Sequence, residues 1–166
     1  MINPIDILSR QLARLTMGLA VIAATAMVGS LLLGVFYRYV LQSSLSWTGE
    51  AALFAFTWVV FLASSLGVRE GFHVRVSVID GWLPAPLRAG LHRLILVAIA
   101  AFGGVLLWVG YDFAVFTASQ VSPAIRYPLW LRNAAVPVAG ALIVVHALAR
   151  LTSDGGIDKP EAQTAL

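Results

Sequence analysis

The chain contains no cysteine, which excludes disulfides, zinc–thiolate sites and cysteine nucleophiles. It is also poor in charge. Asp, Glu, Lys and Arg make up 11% of its 166 residues, against roughly 25% in an ordinary soluble domain, and 60% are hydrophobic. So few polar side chains cannot cover a water-soluble fold of this size. No long polar interval exists either: the longest runs from Arg69 to Arg93, too short for a sizeable soluble domain. Catalytic triads, phosphate-binding loops and carboxylate pairs are missing, so the chain is not expected to be an enzyme. The net charge of +3 comes from basic residues scattered in ones and twos, a distribution that fits membrane orientation rather than nucleic-acid binding.

What the chain has is uncharged length. Leu15–Tyr37, Ala51–Val68, Leu94–Tyr111 and Asn133–Ala149 contain no Asp, Glu, Lys or Arg. Each is long enough to cross a hydrocarbon core of roughly 30 Å at 1.5 Å per residue. The expected fold is an all-α membrane protein with four transmembrane helices, over about 15–37, 50–68, 94–116 and 133–150. Together they form one domain over 1–152, with a disordered tail over 153–166 (polar and glycine-rich). Ala24-Thr25-Ala26 resembles a signal-peptidase site, but the apolar run continues to Phe36. The first span is therefore read as uncleaved.

Basic residues set the orientation. Arg10, Arg14, Arg69, Arg75, Arg88, Arg93, Arg150 and Lys159 fall on one side of these spans; Arg38, Arg126 and Arg132 fall on the other. The positive-inside rule then places both termini in the cytoplasm. Short interfacial amphipathic helices are expected at 3–14, where Ile5, Leu8, Leu12 and Leu15 recur at helical spacing, and before the third span after Pro84 and Pro86. Over 73–79 a helix is favoured over a lone strand. Small residues at Ala26, Ser30 and Gly34, and at Ala51, Ala55, Ala63 and Gly67, offer helix-packing seams. Pro137 is expected to bend the fourth helix.

The polar residues gather at the span ends. Glu50 sits in a first helical turn behind Thr48, a reasonable cap, where an acid favours the helix dipole. It is also a candidate to pair with Arg38 or a partner protein. Trp47, Trp82 and Trp130 fit interfacial anchors. Arg69 and His73, four residues apart, can bind a lipid phosphate or a partner carboxylate. Asp112 is expected to form an interfacial salt bridge with Arg126 or Arg132. The middles of the first three spans carry no ionisable group, and His146 lies near the end of the fourth. A transporter acting alone normally needs such groups at the midplane, so a stand-alone pore or pump is not expected. No metal or cofactor site is expected, and haem ligation by His73, His92 and His146 is disfavoured by their positions.

The order Phe36-Tyr37-Arg38-Tyr39, Ser46-Trp47-x-x-Glu50, Trp58-x-x-Phe61-Leu62 and Arg69-x-Gly71-x-His73-x-x-Val76 carries a resemblance. So do Ser122-Pro123-Ala124, Tyr127-Pro128-Leu129-Trp130 and Val136-Pro137. Together they resemble the small membrane subunit of tripartite ATP-independent periplasmic (TRAP) transporters, from about Leu15 to Arg150. Two positions depart from that pattern: Gly49 replaces a frequent acid, and Ala63 a frequent glycine. The resemblance implies a non-enzymatic scaffold in the bacterial cytoplasmic membrane. Its implied partners are a large multi-helix membrane subunit holding the substrate and sodium sites, a periplasmic solute-binding protein delivering an organic anion, and membrane lipids. A membrane-anchor subunit of a redox enzyme complex is the alternative. The solute itself is not readable from this chain.

Overall fold

The computed structural model describes residues 4–70 and 85–153. Five helices account for most of them: α1 (Pro4–Tyr39), α2 (Ser46–Glu70), α3 (Ala85–Phe116), α4 (Trp130–Asn133) and α5 (Ala135–Ser153). Four segments, Ile5–Tyr39, Ser46–Glu70, Gly90–Phe116 and Trp130–Thr152, are long and apolar enough to cross a membrane.

The amphipathic stretch at 3–14 and the first span form one helix of 36 residues. Nothing between Ile5 and Met17 breaks a helix, and Pro4 stands at its start, where the missing N–H costs nothing. The Arg10 guanidinium donates to Asp6 one turn back at 2.8 Å and 3.1 Å, securing the first turns. Likewise the proline-led approach to the third span merges into α3, which opens at Ala85. The helix expected at 73–79, with His73 and Trp82, lies outside the described residues, as does the tail beyond Ser153.

The helices pack in the order α1, α2, α5, α3, with α1 also touching α5. Burial follows that order. The most apolar stretch of the α4–α5 span is the most buried, followed by those of α2 and α3, and that of α1 is the least buried. The outer helices therefore present apolar side chains such as Ile22, Leu32, Phe102 and Trp108 to the surroundings. The core lies between α2 and α5, around Val68, Ile143 and Ala147, with Ile99, Ala100 and Leu106 of α3 packed against it.

Small residues set the two tightest seams. A Cβ on Gly140 would lie 2.6 Å from the Leu107 nitrogen and 2.7 Å from the Gly103 oxygen, so α3 and α5 meet backbone to backbone. Gly110 receives Val136 and Pro137 in the same way. On the other side, the Thr48 hydroxyl sits where a Gly34 side chain would begin. The expected seams are partly displaced. Gly34 and Ala55 face inward, but Ala26 and Ala63 are exposed, and the buried stripe of α1 is Ser9, Ala13, Thr16 and Ala20.

Pro137 acts earlier than expected. The fourth span is broken at Ala134 between α4 and α5, leaving Pro137 in the first turn of α5. Proline lacks the N–H that would bond to Asn133, and its ring crowds that carbonyl, so the interruption falls just before it.

Candidate partner and lipid interface

At the end of the bundle that holds the loop between α3 and α4, Glu50 does not act chiefly as a dipole partner or as a mate for Arg38. Its carboxylate accepts the backbone N–H groups of Ala124 and Ile125 at 2.9 Å and 3.0 Å. These amides sit at the tip of a narrow loop. Val121 and Pro128 form an antiparallel bridge; the Ser122 amide donates to Tyr127, and the Leu129 amide to Gln120. Closing so tight a tip sends Arg126 into the left-handed region at φ 64°. The Tyr127 ring then meets Phe54 edge to face, with centroids 5.2 Å apart. One α2 turn thus holds the loop between α3 and α4 by a carboxylate and an aromatic pair. Two amides aimed at a carboxylate are charge-assisted bonds, stronger than neutral ones.

Several expected roles change. Thr48 does not cap α2, which begins at Ser46; its hydroxyl donates to the Leu45 carbonyl at 3.0 Å, and the side chain is buried against Gly34. Asp112 is exposed on α3 and, among the described residues, forms no ion pair with Arg126 or Arg132. The acid that meets that loop is Glu50, which lies beyond the first turn of α2 because the helix begins at Ser46, and α2 rather than α3 runs beneath the loop tip. Arg38 is exposed at the end of α1 and outside any ion pair. Trp47 and Trp130 are 40% and 43% exposed, leaving both indoles at this rim of the bundle open to lipid or partner. A Cβ on Gly49 would meet nothing within 4 Å, so this position faces open space.

Below this loop, an apolar groove of about 680 Å³ opens between α1 and α2, lined by residues including Ile22, Ala26, Phe54, Trp58 and Ile125. The buried Trp58 Nε1 has no hydrogen-bond partner there.

At the opposite end, α1, α2 and α5 converge. The Ser9 hydroxyl and His146 Nδ1 are hydrogen-bonded at 2.8 Å, both residues fully or nearly fully buried, and His146 Nε2 is unpartnered. Arg150 donates to the Val68 and Arg69 carbonyls at 3.1 Å and 3.4 Å, satisfying the exposed C-terminal end of α2. Arg69 lines the groove beside them. Sequence reasoning missed the Ser9–His146 pair, since 137 residues separate the two. Ser9→Ala is expected to lower stability by about 1 kcal/mol, because both nitrogens of a buried histidine then lack partners. Thermal unfolding in detergent checks this against Thr25→Ala, whose hydroxyl bonds only within an exposed turn. Equal midpoints for the two variants would leave the buried pair without energetic weight.

Residues 27–154 match the family described as tripartite ATP-independent periplasmic transporters, DctQ component. The chain belongs to that family. It is 33% identical over 102 residues to the C4-dicarboxylate TRAP transporter small permease protein DctQ of Rhodobacter capsulatus, covering 60% of this chain and 45% of that one. It is 28% identical over 104 residues to the isethionate TRAP transporter permease protein DctMQ of Oleidesulfovibrio alaskensis, covering 61% of this chain and 16% of the relative. The ectoine TRAP transporter small permease protein TeaB of Halomonas elongata is 25% identical over 162 residues, 92% of this chain and 80% of TeaB. The match thus spans less than half the length of the Rhodobacter relative. Membership in this family, with four apolar helices, makes the chain a multi-pass inner-membrane subunit of a TRAP-type transporter.

Proposed function

We propose that the chain is the small scaffold subunit of a sodium-coupled TRAP transporter for uptake of an organic anion, a carboxylate or sugar acid. In this role it anchors and supports a large transport subunit, which carries the solute and sodium sites. A periplasmic solute-binding protein delivers the solute, and both termini of the chain lie in the cytoplasm. The observation that carries this is the distribution of polarity. The helix middles hold no Asp, Glu, Lys or Arg, while engaged polar groups sit at the two ends. Such a chain is built to be held in place, not to bind a solute at the midplane. The relative named DctMQ supports a large membrane partner, since this chain corresponds to 16% of that longer permease.

Two measurements test the proposal. Affinity purification of the tagged chain should bring down a large membrane subunit, and proteoliposomes should take up solute only when both subunits and the binding protein are present. Uptake by this chain alone would refute it. For orientation, the absence of native cysteine allows single-cysteine labelling. Arg126→Cys should react with an impermeant maleimide in intact cells, and Thr152→Cys only after permeabilisation. The reverse pattern would invert the topology.

A further inference from the structure

We propose that the groove where α1, α2 and α5 converge binds the phosphate of an anionic phospholipid headgroup. The groove holds about 410 Å³. Asp6, Arg10 and Arg14 enter it at four-residue intervals along α1, Arg69 comes from α2 and Arg150 from α5. Four guanidiniums therefore surround one carboxylate. Asp6 is engaged by Arg10, and Arg150 by the end of α2. Arg14 and Arg69 are left without a side-chain hydrogen bond or ion pair among the described residues. Gathered positive charge of this kind is relieved by an anion, and guanidinium forks match phosphate oxygens two at a time.

Depth selects the source of that phosphate. Arg14 is the last charged residue before the uncharged run from Leu15, and Arg69 the first after the run ending at Val68. Both guanidiniums thus stand at the edge of the hydrocarbon, where headgroups lie. Met17 and Val21, three and seven residues beyond Arg14 on the same face of α1, are 56% and 54% exposed, giving acyl chains an apolar surface next to the charged groove. A soluble phosphate would make no use of that surface. The site is independent of the transport role proposed above, and holds whichever membrane side this end occupies.

The test uses the full-length chain, delipidated in uncharged detergent and titrated with phosphatidylglycerol or phosphatidylcholine under native mass spectrometry. Phosphatidylglycerol should bind in clear preference. Arg14→Gln with Arg69→Gln should weaken that binding on the order of tenfold, whereas Arg38→Gln with Arg126→Gln, an equal charge loss at the other end, should leave it unchanged. Soluble glycerol phosphate should not displace the lipid. Absence of preference, an equal loss in the outer pair, or displacement by glycerol phosphate would each overturn the proposal. Arg14→Lys covers the event that the double variant misfolds. It keeps the charge but loses the fork, so phosphatidylglycerol binding should fall several-fold, and unchanged binding would overturn the site.

Discussion

Gly140→Leu is expected to separate α3 from α5 and abolish the folded bundle, with Gly140→Ala already destabilising by about 2–3 kcal/mol. The reason is the identity of the neighbours. A Cβ at 140 would meet the Leu107 nitrogen at 2.6 Å and the Gly103 oxygen at 2.7 Å, both backbone atoms, which cannot turn aside as a flexible side chain can. The helices would have to move apart, and the packing of Ile99, Ala100 and Leu106 against Ile143 and Ala147 would loosen with them. Gly104 supplies the control. It lies on α3 beside Gly103, yet a Cβ there meets nothing within 4 Å. Gly104→Ala should therefore be neutral or slightly stabilising, since alanine favours helix over glycine by up to about 1 kcal/mol. Denaturation in mixed micelles reads both. Equal midpoints for the two alanine variants would contradict the backbone contact.

The second large effect is expected from Glu50→Ala. Two amides of the loop between α3 and α4, Ala124 and Ile125, lose their acceptor together, and the left-handed Arg126 no longer has a fixed tip to close. Hydrogen exchange at these two amides should accelerate on the order of tenfold or more, while the spans keep their protection. Glu50→Gln retains one acceptor oxygen and should fall between wild type and alanine. Asp112→Asn is the informative comparison, because Asp112 is exposed and outside any ion pair; loop exchange should not change. If Asp112→Asn loosened the loop and Glu50→Ala did not, the assignment of the anchoring acid would be reversed. Within the proposed complex, Glu50→Ala should also reduce association with the large subunit if the ordered loop belongs to that interface.

The gap between Glu50 and Asp112 illustrates what a sequence can carry. Both are acids next to a tryptophan-bearing outer region, and position along the chain favours Asp112 as the neighbour of Arg126 and Arg132. What decides against it is that α2 stands under the loop tip and α3 does not. Ser122-Pro123-Ala124 marks a turn, since proline fixes its own φ and removes its own donor, but it does not say where the following amides bond. The partner, 74 residues away, was not legible. Thr48 and Pro137 erred in a milder way. Thr48 is expected to cap a helix start and Pro137 to bend a helix from within, but α2 starts two residues before Thr48 and the fourth span breaks three residues before Pro137. Boundaries depend on local bonding that composition averages away.

By itself the sequence determined that this is a helical membrane chain with four apolar spans, and that its charges collect at their ends. These follow from solvation, because the cost of a charge in hydrocarbon is paid residue by residue and leaves its mark along the chain. Only the tertiary structure decided which ends meet: Glu50 with the Ala124 and Ile125 amides, Ser9 with His146, Arg150 with the end of α2, and Gly140 with the α3 backbone. Those pairings rest on helix order and close approach, and residues separated by dozens to more than a hundred positions carry no local trace of them.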